Sequence, residues 1–213
     1  MDMENKLSNQ VNLIDQLAGC FTSKVNTYMN KEGLELEKMN LGFQILIINI
    51  SKLIIIMALA AVFNLVKETL FMILVFGCIR KRTFGLHAKS SVVCTITCIA
   101  MFNFGSYISQ FIKVNNYIVF IVFTIINILL YKYAPADTEC HPLLGARLRA
   151  KLKKEAVLTG IVLMALALII PVPIVKTLMT LSAIYAVIII LPITYKILKR
   201  RYGNYEKYER ELN

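Results

Sequence analysis

Chemistry that needs a nucleophile and a proton carrier has few places to reside in this chain. It holds only two histidines, His87 and His141, and five cysteines, Cys20, Cys78, Cys94, Cys98 and Cys140. His87 precedes Cys94 by seven residues, in the segment that opens with Arg80. A thiolate that attacks a carbonyl, served by an imidazole that takes the thiol proton and delivers it to a leaving amine, is the chemistry of a cysteine peptidase. On one continuous helix a spacing of seven would separate the two groups by roughly 10 Å along the axis, so His87 must lie outside the helix that carries Cys94. Gly85 permits a backbone turn, and Ser90 or Ser91 suits an N-cap, which starts a helix there with Cys94 in its first turn. In that place the helix N-terminus and His87 favour the thiolate. Arg80, followed by Lys81 and Arg82, stands at the edge of an apolar segment, where it either holds the loop or binds a substrate carboxylate.

Other arrangements of the same residue types carry less. Cys94 and Cys98 share a helix face and, with His87, would supply three metal ligands without a fourth, so neither a metal nor another cofactor is expected. Adjacent residues point apart, which makes Cys140 and His141 in a basic loop an incidental pair. Cys20 and Cys78 read as packing residues, and an odd cysteine count in apolar surroundings is no disulfide framework. The stripe Cys94, Cys98, Ser106 and Gln110 is expected to face a bundle interior. Lys52, inside an apolar run, either snorkels from a span that starts after Ser51 or binds an acidic group of a substrate. Asp137 and Glu139 are candidates to orient His87, or else to bind the basic loops.

The elements that position these residues are written in long apolar runs. Of 213 residues 57% are hydrophobic and 17% charged, and runs such as Ile45 to Phe63 and Ile161 to Val175 lack the polar interruptions of a soluble domain. The pattern predicts an all-α integral membrane protein with about six spans: Leu41 to Phe63, Leu65 to Ile79, Ser90 to Ile112, Val114 to Tyr133, Ala156 to Val175 and Thr177 to Ile197. The second is short, so either Lys67 and Glu68 snorkel outward or the segment after Ile79 sits partly in the membrane. Residues 1–40 form an amphipathic cytoplasmic arm, 41–197 the transmembrane domain and 198–213 a cytoplasmic tail. No cleavable signal peptide is expected, so the mature protein begins near Met1.

Basic residues fix the expected orientation. They fill the arm, the loop from Arg80 to Lys89, the loop from Lys132 to Lys154 and the tail, whereas the intervening connections hold only Lys67, Lys113 and Lys176. Both termini and the His87 loop then lie on the cytoplasmic side. The net charge of +11 is mostly this topology signal, with contact to anionic lipids added. Because the basic residues flank spans and build no separate basic domain, nucleic-acid binding is excluded.

Arg80, Gly85, His87, Ala88 and Cys94, at this spacing, resemble the signature of the AgrB family, the accessory gene regulator protein B of Gram-positive bacteria. So does the stretch from Tyr133 to Glu139 with Pro142 after it. The likeness extends over most of the chain in length, span number and basic loops. It implies a membrane cysteine peptidase that removes the C-terminal tail of an AgrD-type propeptide and closes the remainder into the cyclic autoinducer of a quorum-sensing circuit. By the same likeness Cys94 is the nucleophile, His87 its base, and Arg80 and Gly85 supporting residues. Where the family commonly has two glycines before the Leu or Phe and His of the motif, Phe84 stands at the first. The propeptide leader would lie along the inner membrane surface beside the arm Met1 to Asn40, and self-association stays open. The alternative is a small peptide transporter without catalysis, lined by Lys52 and the polar stripe. The prolines Pro171, Pro173 and Pro192 all fall in the last two spans and supply no paired repeat for it.

Overall fold

The computed structural model of the chain describes residues 2–86, 91–138 and 143–211. Among these residues the fold is all-α, with a parallel bridge between Phe84 and Ala136. Two compact units are distinguished, Met1–Ala58 and Leu59–Asn213.

The first unit is a helical hairpin of α1 (Asp2–Met29) and the greater part of α2 (Leu34–Val62). The turn is fixed by Asn26, whose side-chain amide donates to the Lys31 carbonyl at 3.0 Å and whose Oδ1 accepts the Lys31 amide at 2.7 Å. Polar groups also join the two helices, Thr22 Oγ1 donating to Asn40 Oδ1 at 3.1 Å and Gln44 Nε2 to Asp15 Oδ1 at 2.9 Å. Glu35 and Glu37 in the first turn of α2 complement its dipole. Helix α2 runs without a break through Ser51 and Lys52, and Lys52 is half-buried on it.

The second unit holds α3 (Val66–Thr83), α4 (Ser91–Ile99), a π turn (Ala100–Phe104), α5 (Gly105–Ser109), α6 (Asn116–Tyr133), α7 (Ala146–Ile169), α8 (Pro173–Ile188), α9 (Pro192–Ile197) and α10 (Tyr205–Glu211). Asn115 starts α6 by accepting the Ile118 amide at 2.9 Å. Prolines set the later boundaries. Pro173 opens α8 and Pro192 opens α9, positions where the missing N–H costs nothing. The expected last span, Thr177 to Ile197, is therefore two helices with a break at 189–191.

The core is formed where α3 packs on α7 and α8, and α6 on the same two helices. Val75, Ile79, Phe123, Leu130, Met179 and Val187 are buried there. Gly160 lets α6 and α7 approach closely: a Cβ on it would lie 2.3 Å from Asn127 Oδ1 and 2.9 Å from Leu130 Cδ1.

By length and composition three helical stretches are able to cross a membrane, Leu34–Val62, Val92–Ser109 and Asn116–Tyr133, and Pro173–Ile188 is a shorter apolar helix. The other two expected spans coincide with α3 and α7, which carry Arg80, Lys81 and Arg82 in the last turn and a basic N-terminal half respectively. Within Val92–Ser109 the π turn takes up an extra residue, which helps keep Ser106 on the side of Cys98. Ser106 is fully buried and bonded by Thr69 Oγ1 at 3.1 Å. Gln110, expected on that interior face, is exposed, because the helix ends at it as the C-cap.

Candidate active site

The site is built from the end of α3. Phe84 leaves the helix at φ 54° and ψ −130°, with its amide still donating to the Arg80 carbonyl at 3.1 Å. The carbonyls that follow turn inward and require donors. Arg80 supplies them: Nη1 donates to the Phe84 carbonyl, and Nη2 to those of Gly85 and Leu86 at 2.9 and 2.7 Å. Of the two roles open to Arg80 in the sequence, the geometry is that of a clamp on the loop.

Gly85 sits at φ +100°, and a Cβ there would lie 2.6 Å from Arg80 Nη1, 2.9 Å from Ile190 Cγ2 and 3.2 Å from the Ile189 carbonyl. The loop is thus pressed between the guanidinium and the break that separates α8 from α9. Its other side is paired. The Gly85 amide donates to the Ala136 carbonyl at 2.7 Å, and the Ala136 amide to the Thr83 carbonyl at 2.9 Å. This brings the segment after α6, which contains a cis Ala134–Pro135 bond, against the loop before α4.

Cys94 lies in the first turn of α4 and is half-buried, as is Cys98; both are free thiols. The Arg80 clamp and the enclosed Gly85 thus stand ahead of α4, the helix that carries Cys94. His87 and Glu139 lie outside the described residues, as do Ser90, Cys140, His141 and Pro142. Lys52 belongs to the first unit. Among the described residues no group of three or more His, Cys, Asp or Glu is placed to hold a metal.

Asp137 is buried, with both carboxylate oxygens occupied: Oδ1 accepts the Asn204 amide at 3.0 Å and Oδ2 the Tyr205 amide at 2.6 Å. Its carboxylate thus caps α10 from another segment. Its carbonyl accepts the Tyr195 hydroxyl at 2.8 Å. The tail is held a second time by Glu209, which pairs with Arg149 at 2.6 Å and accepts the Gly145 amide at 3.1 Å. The Arg149 hydrogen bond, followed by that of Gly145, holds the Glu209 carboxyl below its usual value.

Sequence reasoning did not single out Tyr195 or the tail contacts. The two phenols in the apolar run 177–197, Tyr185 and Tyr195, were the available signal for the first, since a buried tyrosine hydroxyl needs a partner. Nothing local in the sequence marks the second.

The family model for accessory gene regulator B matches residues 18–198. The chain is 48% identical over 206 residues to an AgrB-like protein of Clostridium acetobutylicum, covering 97% of this chain and 99% of the relative. To an AgrB-like protein of Listeria innocua it is 39% identical over 200 residues, covering 94% and 97%. The accessory gene regulator protein B of Staphylococcus haemolyticus is 29% identical over 166 residues, or 78% of this chain and 87% of that one. No solved structure matches the chain.

Proposed function

The chain belongs to the accessory gene regulator B family, and from that premise we propose that it is a membrane-embedded cysteine endopeptidase acting on a small AgrD-type propeptide. It cleaves off the peptide's C-terminal tail and cyclises the remainder to a quorum-sensing autoinducer. The observation that supports this reading is the Arg80 clamp on the loop from Phe84 to Leu86, with Gly85 enclosed in it, in the chain segment that leads to Cys94 in the first turn of α4.

In the proposed reaction Cys94 Sγ attacks the scissile carbonyl, and its proton passes through His87 to the leaving amine as the C–N bond breaks. A thioester to Cys94 remains. A thiol or hydroxyl inside the peptide attacks that thioester, closes the ring and returns the proton to Cys94. Proximity favours this internal attack over water. Arg80 and Gly85 support the reaction by fixing the loop that leads into His87. Asp137 and Glu139 are assigned no proton, and Lys52 is kept as a candidate contact for an acidic substrate group. We place the protein in the cell membrane as a multi-pass protein, with both termini and the active site at the cytoplasmic face.

Cys94→Ala and His87→Ala should each lower propeptide processing below about one thousandth of wild type, with membrane insertion unchanged. Cys140→Ala and His141→Ala should process normally. Peptide release by membranes carrying each variant is the measurement. Activity in Cys94→Ala together with loss in Cys140→Ala would refute the assignment.

A further inference from the structure

Behind the candidate active site, at the end of α6, lies a cavity of about 320 Å³. Lys132 of α6, Arg149 and Lys153 of α7, the loop from Ala134 to Asp137, and Tyr202 and Tyr205 of the tail line it. Its volume is at the low end of the roughly 300–1,000 Å³ typical of small-molecule sites, which suits a headgroup better than a folded partner.

The charges in its wall are not equivalent. Arg149 is neutralised by Glu209 and lies over the Tyr205 ring, 3.9 Å from its centroid. Asp137 is buried, and two backbone amides engage its carboxylate. Lys132 and Lys153 form no ion pair with a carboxylate among the described residues; they rest over the rings of Tyr133 and Tyr131 at 5.2 and 5.5 Å. The cavity wall therefore carries two ammonium groups with no ion-pair partner among the described residues against the single Asp137 carboxylate, a net positive lining for an anion.

Its level along the helices names the source of that anion. Lys132 is the penultimate residue of α6, a helix long and apolar enough to cross a membrane, and Lys153 stands one turn before the apolar part of α7 begins at Ala156. Tyr131 beside them is exposed on the outer surface of α6, the place of an aromatic anchor at the membrane boundary. Basic pockets between helices at this depth suit phosphate headgroups. We propose that this cavity is a receptor for the phosphodiester headgroup of an anionic phospholipid in the surrounding bilayer, held between Lys132 and Lys153. The proposal goes beyond the peptidase chemistry and does not depend on it.

The test is native mass spectrometry of the full chain from mixed micelles of phosphatidylglycerol and phosphatidylcholine. Wild type should retain phosphatidylglycerol in preference. Lys132→Gln with Lys153→Gln should lower that retention roughly 10- to 30-fold, whereas Lys151→Gln with Lys154→Gln, an equal loss of charge outside the cavity, should change it less than about threefold. Lys132→Arg with Lys153→Arg keeps both charges and should keep the lipid, which separates loss of the site from failure to fold. Equal effects of the two glutamine pairs, or no preference for phosphatidylglycerol in wild type, would overturn the proposal. Displacement by millimolar inorganic phosphate would make it a free-anion site, and displacement by a short Glu-rich peptide a peptide site; either result also overturns it.

Discussion

Phe84 and Gly85 are neighbours in left-handed backbone, at φ 54° and 100°, so a glycine matters at both positions for different reasons. At Gly85 the space is closed by Arg80 and Ile190, and Gly85→Ala combines backbone strain with a clash, a cost of about 2 kcal/mol or more. At Phe84 a side chain is tolerated in a conformation that glycine adopts freely, and Phe84→Gly relieves strain of about 1–3 kcal/mol, offset in part by the extra freedom of the unfolded chain. Thermal unfolding in detergent should therefore show a lower Tm for Gly85→Ala and an unchanged or higher Tm for Phe84→Gly. A fall of the same size in both variants would mean that this loop geometry is wrong. The motif made Gly85 legible as a turn and the departure at Phe84 visible, but not why glycine is needed. That reason lies in Ile189 and Ile190, about a hundred residues away in sequence, and no local pattern announces the contact.

Helix α6 was legible because its cause is local, an apolar run that follows Asn115, whereas Pro173, which starts α8, fell inside the expected span Ala156 to Val175, and α7 ends at Ile169. The break before α9 was less legible, because a proline in an apolar run reads equally as a kink or as a new helix. The tail was read only as a basic terminus, since its order rests on Asp137 and on Glu209 with Arg149, partners distant in sequence. Glu209 makes the docking of α10 depend on pH. Its carboxyl titrates below the ordinary 4.5 in the folded tail, so the undocked tail binds more protons in that interval. The stabilisation is complete above the ordinary value and is lost as pH falls through the folded one. Hydrogen-exchange protection of α10 amides, corrected for intrinsic rates, should exceed that of Glu209→Gln by a constant factor above the ordinary carboxyl value, and the difference should vanish once the pH has fallen below the lowered value of the folded tail. A difference that persists in acid would show that the carboxylate does not hold the tail.

For the molecule as a whole, composition sufficed for an all-α membrane fold, and the spacing of Arg80, Gly85, His87 and Cys94 for the family. Membrane crossings are harder to read, because α3 and α7 mix apolar faces with basic ends. Labelling by an impermeant thiol reagent addresses orientation: a cysteine introduced beside Lys113 should react in intact cells, and one in the basic start of α7 from Arg147 to Lys154 should not. The reverse pattern would place the candidate site on the outer face. The proposed thioester on Cys94 is what separates a ring-closing enzyme from a plain protease. Making a thioester from an amide is uphill, so tail release must draw the step forward, and the thioester must then outlast the approach of water. An AgrD-type propeptide whose ring-forming residue is replaced by alanine removes the acceptor and should strand the peptide on the enzyme. Mass spectrometry at early times should find that adduct on Cys94, released by hydroxylamine and absent from Cys94→Ala. A free linear acid with no adduct at any early time would contradict the thioester and favour direct attack by water.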